Sequence, residues 1–209
     1  LLSGPLRGAA IPLVGTTTPS AAFAGAASLL ERSDGGFVAH MTDGRGIVEA
    51  VRMHVDPAAR SAVVVGAGSC GRAAALELAV AGAPEVLVCD PDRERAEAVV
   101  RDLAATGPAA VLDWHDLAVP PHAGVLVLAP TMSAPGPVIG GLRRDLVVAD
   151  TLLANHPSPP ADQAAGLGAC LVDGIEIHAM RTVIDFQTLT GVTPDAEAIR
   201  EALEEFFSG

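Results

Sequence analysis

The chain has no lysine and no tyrosine: its 13 basic residues are all arginine, and aromatic residues make up 3% of its 209 positions. Without lysine there is no Schiff-base chemistry and no lysine general acid or base. Positive charge is also scarce. Twenty-five acidic residues leave a net charge of −12, which argues against nucleic acid or an anionic membrane as partner. No apolar run reaches the roughly 18 residues of a membrane span, and no charged segment followed by an apolar one opens the chain; a cytoplasmic protein is the expectation. The three cysteines, Cys70, Cys89 and Cys170, lie far apart in or beside apolar runs. They read as reduced, buried small hydrophobes rather than a disulfide set. Six histidines are scattered without ligand spacing, so no metal is expected.

The most informative stretch is Val63-Val64-Val65-Gly66-Ala67-Gly68-Ser69-Cys70-Gly71. A β-branched run enters a G-x-G-x-x-G turn, an alanine-rich helical pattern leaves it, and a second apolar run, Val86 to Cys89, ends in Asp90. Each part has a job in gripping a dinucleotide. Gly66 permits the tight turn, Gly68 lets backbone approach a pyrophosphate, and Gly71 allows close helix–strand packing. The helix start offers free N–H groups and partial positive charge to the phosphates, through Ala67, Ser69 and Cys70 as well. Asp90 is expected to accept from the adenosine ribose hydroxyls.

Beyond this turn the pattern is α/β. Helices are predicted over 70–82 and 92–105, and strands over 62–66, 85–90, 108–112, 124–129 and 146–150. Such alternation predicts a Rossmann-like, doubly wound parallel sheet with right-handed crossovers. The loop of 130–140 follows a strand, where open sheets bind ligands. A last small strand, Cys170 to Val172, precedes a helix from Gly174 closed by Gly191; Thr193-Pro194-Asp195 opens another. Upstream, Arg32 to Gly36 reads as a hairpin turn between strands Ala27–Glu31 and Phe37–Met41, and a helix is predicted over 46–54. Residues 1–45 look like the tail of a different, smaller α/β domain.

Together these motifs resemble the shikimate/quinate dehydrogenase family. Thr42-Asp43-Gly44-Arg45-Gly46 is similar to its threonine-aspartate-glycine turn, and Asp150 to Ala169 to its aspartate-led segment. Asp173-Gly174 through Thr190-Gly191-Val192-Thr193-Pro194-Asp195 is similar to its closing helices. The resemblance implies an NAD(P)-dependent dehydrogenase that passes hydride between the cofactor and a secondary alcohol or ketone of a small carboxylated ring, in aromatic amino acid biosynthesis. It is compatible with a homodimer. It divides the chain into the end of a substrate domain (1–45), the cofactor domain (46–173) and helices packing back toward the substrate domain (174–209), and it implies a chain that begins just before the family's catalytic lysine motif.

The departures are chemical. Asp43 falls on the family's catalytic acid, but Arg7 stands where the lysine belongs, and arginine holds its proton too tightly to shuttle it near neutrality, so Asp43, alone or through water, is the expected proton-transfer partner. Ser28 replaces the substrate-binding asparagine and Arg181 a glutamine; Leu153 replaces a tyrosine, and Leu128-Ala129-Pro130 the turn near the nicotinamide. Arg7 and Arg181 suit a carboxylate or phosphate. After the second strand, Asp90-Pro91-Asp92-Arg93 predicts NAD, because a carboxylate repels the 2′-phosphate of NADP, while Arg93 or Arg95 would accommodate it. The lost lysine leaves open a non-catalytic dinucleotide-binding homologue, a sensor or a degenerate enzyme.

Overall fold

Two β-sheets, joined by helices that serve both, organise the chain. The computed structural model describes residues 1–129, 137–154 and 156–208. Helix α1 (Leu6–Ala9), strand β1 (Thr16–Thr17) and helix α2 (Pro19–Ala24) come first. Strands β2 (Leu29–Ser33) and β3 (Gly36–His40) then pair antiparallel, with β1 lying parallel along the far side of β3. The strands run right up to a two-residue turn, Asp34-Gly35, with Gly36 at φ 129°. The pairing therefore reaches Ser33 and Gly36, past the bounds that the sequence predicts.

Helix α3 (Asp43–Arg52) leaves this small sheet. It starts three residues earlier than expected, with the Asp43 carboxylate in the first turn, where the positive end of the helix favours an acid. The larger unit follows as β4 (Ser61–Val65), α4 (Ser69–Val80), β5 (Val86–Cys89), α5 (Arg93–Leu103), β6 (Ala109–Val111), β7 (Ala123–Leu128), β8 (Val147–Asp150), α6 (Pro159–Gly166) and β9 (Cys170–Val172). Its six strands are all parallel, in the order β6-β5-β4-β7-β8-β9, which is the doubly wound sheet expected from the sequence. The strand order reverses direction between β4 and β7, and a crevice forms beyond their carboxyl ends. Helix α7 (Gly174–Thr190) stops at Gly191, φ 72°. Helix α8 (Ala196–Ser208) starts after Asp195, whose carboxylate accepts from the Glu197 N–H at 2.9 Å.

Every residue of β4 and β7 is buried, which is why both read as uninterrupted apolar runs. Val64 packs with α3 and α4 on one face, and Val63 and Val65 pack with Ala161 and Ala164 of α6 on the other. A third cluster, Ala21, Ala24, Ala27, Ala39, Met41 and Ala73, ties the small sheet to α4. These side chains are small, so backbones come close. A Cβ added to Gly46 would stand 2.8 Å from the Arg181 Cβ, which seats α3 directly against α7. That contact sets the site.

Candidate active site

At the end of β4 the chain turns on Gly66, φ 102°, whose N–H donates to the Cys89 carbonyl at 2.8 Å. Gly68 is extended, and α4 begins at once with no side-chain cap on its first turn. A Cβ on Gly71 would fall 1.7 Å from the Gly66 oxygen, so only glycine lets the helix start lie on the turn. Gly68, Ser69 and Cys70 are all half-buried. An uncapped start of a twelve-residue helix fits the pyrophosphate of a dinucleotide.

The acid after β5 differs from expectation. Asp90 is buried and its carboxylate is turned onto the loop: Oδ2 accepts from the Ala67 N–H at 2.6 Å and Oδ1 from the Asp92 N–H at 2.9 Å. It braces the glycine loop rather than presenting itself to a ribose, and the Ala67 N–H is likewise occupied. The exposed acid there is Asp92, 3.1 Å from Arg95, while Arg93 donates to Glu97 at 2.8 Å. Ala129 is buried, its N–H donating to the Val65 carbonyl at 2.8 Å, and Pro130 lies outside the described residues.

Across the crevice, charged side chains meet from three helices. Arg7 of α1 donates through Nη1 to Asp43 Oδ2, and through Nη2 to Oδ1 at 3.5 Å. Arg181 of α7 brings Nε within 3.2 Å of Asp43 Oδ1 and 3.4 Å of Asp185 Oδ2. That buried N–H aims at neither and has no hydrogen-bond partner. Asp185 in turn accepts from the Thr42 hydroxyl at 2.6 Å. The Thr42 proton being used there, the Ser28 hydroxyl 2.8 Å away donates to Thr42 Oγ1, and it accepts from the Thr42 N–H at 2.9 Å. Ser28 is thus a correction to the sequence reading: it is fully buried and supports the network from behind, out of a substrate's reach.

Arg7, Asp43 and Arg181 line a cavity of about 200 Å³ with Ile47, Cys70, Thr151, Ile177 and His178. Cys70 joins this cavity to the glycine turn. Burial, with Asp43 beside it, pushes its thiol up to about 12, so it stays neutral and uncharged near pH 7. Burial lowers the His178 imidazole from its ordinary value; the Arg181 and Arg7 charges push the same way, against Asp43 and Asp185. The sequence reading misses Asp185 and His178, although their spacing from Arg181, i+4 and i−3 on one helix, puts all three on neighbouring positions of a single face. Cys170 also departs from expectation: it is exposed, 3.4 Å from His54 Nδ1. Among the described residues no cluster of His, Cys, Asp and Glu could hold a metal, and no helix is long and apolar enough to cross a membrane.

No family model matches the chain. A shikimate dehydrogenase (NADP(+)) of Dinoroseobacter shibae is 32% identical over 202 residues, covering 91% of this chain and 72% of the relative. Among solved structures, the ligand-free 5-ketofructose reductase of Gluconobacter sp. strain CHM43 superposes with TM-score 0.84 at 26% identity, covering 98% of this chain and 77% of that one. The quinate dehydrogenase of Corynebacterium glutamicum in complex with NAD gives TM-score 0.79 at 26% identity, over 97% and 76%.

Proposed function

The chain belongs to the shikimate/quinate dehydrogenase family of nicotinamide dinucleotide-dependent oxidoreductases, and from that premise we propose that it interconverts a secondary alcohol and a ketone on a small, carboxylated ring. One observation carries the reading: the glycine turn and the arginine-rich cavity share a wall at Cys70, so a dinucleotide on the turn and a substrate between Arg7 and Arg181 would be neighbours. When bound, the dinucleotide supplies the hydride exchange. The protein's part is to bind and orient. The Arg181 N–H that lacks a partner, with the rest of its guanidinium, suits a carboxylate. Arg7 suits the reacting oxygen, and Asp43 holds both arginines in place. The division of the chain at residues 45 and 173 belongs to the same proposal, with Arg7 coming from the substrate side and Arg181 from the closing helices. Relatives that are themselves dehydrogenases favour this reading over a non-catalytic binder.

The experiment is a dinucleotide-linked assay over a panel of cyclic hydroxy acids, shikimate and quinate included, with neutral ring alcohols of the same size alongside. Turnover confined to the acids supports the proposal; equal turnover of the neutral alcohols, or none of either, overturns it.

Of the two dinucleotides we propose NAD. Asp92 puts an exposed carboxylate at the end of β5, with the buried Asp90 behind it, while Arg93 and Arg95 are engaged by Glu97 and Asp92. A 2′-phosphate arriving there meets like charge. The relative from Dinoroseobacter shibae bears the name of an NADP(+) enzyme, which makes the measurement decisive. Titration should give a Kd for NAD at least about tenfold below that for NADP, a difference of about 1.4 kcal/mol. Asp92→Ser should narrow that ratio. Tighter NADP binding by the unaltered protein would refute the argument.

A further inference from the structure

Oxidising a secondary alcohol removes two hydrogens by separate routes. The carbon-bound one leaves with its electron pair as hydride to the oxidised dinucleotide, and the oxygen-bound one leaves as a proton, which needs a base. The cavity holds few groups able to take it. Arg7 keeps its proton near neutrality. Asp43 is bonded through both oxygens to the Arg7 guanidinium, and taking up a proton would break the ion pair that holds Arg7 in place. The Cys70 thiol, pushed up to about 12, neither gives nor takes a proton readily. His178 remains. Its ring faces the same cavity, is half-buried, and makes no hydrogen bond to another described residue. It stands three positions before Arg181 on α7, so a substrate whose carboxylate meets Arg181 has an imidazole one turn away.

We propose that His178 is the proton-transfer residue of this site, an assignment that rests on the dehydrogenase reading and names a group that reading does not. In oxidation an imidazole nitrogen takes the hydroxyl proton as hydride leaves the carbon. The C–O bond becomes C=O, and the imidazolium gives its proton to water. In reduction the imidazolium protonates the oxygen as hydride arrives at carbon. The groups facing the ring are Arg181 and Asp185 from α7, Asp43 from α3, Arg7 from α1 and Cys70 from α4. Burial and the two arginines together keep the imidazole neutral at pH 7, the form a base requires. The oxidation rate should therefore rise as pH climbs through a value below 6.5 and level off above it.

His178→Gln and His178→Ala test this beside the unaltered protein. The expected result is a fall in kcat of about 10²–10⁴-fold, the usual worth of a positioned acid or base. Thermal midpoint and dinucleotide Kd should stay near those of the unaltered protein, the acidic limb of the pH profile should vanish, and added imidazole should partly restore His178→Ala. A readout independent of turnover is the ring proton resonance that disappears in His178→Gln: its titration midpoint should move when shikimate binds without dinucleotide. If the unaltered protein oxidises a panel acid and both variants match it in kcat and pH profile, His178 is refuted while the dehydrogenase reading stands. If the unaltered protein oxidises nothing and the ring resonance ignores shikimate, both fall together.

Discussion

Asp43→Asn is expected to lower kcat/KM by about 10²-fold, through misplaced arginines, and to cost about 3 kcal/mol of folding stability. The amide keeps the shape of the carboxylate and removes its charge. Two guanidiniums then lose their shared counter-charge at a position that is 6% exposed. Breaking a buried pair this way costs more than the pair itself contributes, because the remaining charges stay out of water. Asp185, 3.4 Å from Arg181 Nε, retains part of the compensation, which puts the expectation at the lower end of the roughly 3–5 kcal/mol that breaking a buried pair costs. Arg7, with its side chain 19% exposed, would turn toward solvent and leave the reacting oxygen without its guide. Steady-state kinetics and thermal unfolding read the two effects separately. With His178 carrying the proton, the residual activity of Asp43→Asn should keep its acidic pH limb. Undiminished turnover would remove Asp43 from the site altogether.

Gly71→Ala should be nearly as severe by a different route. The new methyl would sit 1.7 Å from the Gly66 oxygen, and that neighbour is backbone, so no rotamer change relieves it. Helix α4 must lift off the turn, and its N–H groups then point away from where a diphosphate would lie. Overpacking of this kind costs about 1–3 kcal/mol, and the misplaced donors should weaken dinucleotide binding by about 100-fold or more, close to 3 kcal/mol. Gly107→Ala is the control: its added methyl would meet nothing nearer than the Ala79 Cβ at 4.0 Å, and binding should be unchanged. Dinucleotide titration with both variants decides it; an unaffected Kd for Gly71→Ala would show that the turn does not form the phosphate seat.

What could be read from the sequence follows from what each residue senses. The strands of the larger sheet are legible because both faces are covered, so Val63 to Val65 and Val125 to Leu128 are apolar without alternation. The bounds of α7 are legible because Gly174 and Gly191 mark its ends. Asp90 is harder. Its position after β5 is plain, but an acid there can point outward to a sugar or inward to the loop, and the 2.6 Å bond from Ala67 selects the second. Ser28 looks like a binding residue by its place in the motif, and burial under Thr42 removes it. His178 and Asp185 need the face of α7 that meets α3. That choice is fixed by a contact between Gly46 and Arg181, far apart in the chain, which no local pattern reports.

The run of hydroxyls behind Arg181 has a direction. Since Thr42 gives its only hydroxyl hydrogen to Asp185, Ser28, which also has the His40 carbonyl at 3.5 Å, gives its own to the nearer Thr42 oxygen at 2.8 Å, and the hydroxyl protons of the row are oriented toward α7. Energies along such a row are shared rather than owned. Ser28→Ala and Asp185→Ala combined should therefore destabilise the protein by less than their separate effects added together, although the two positions never touch.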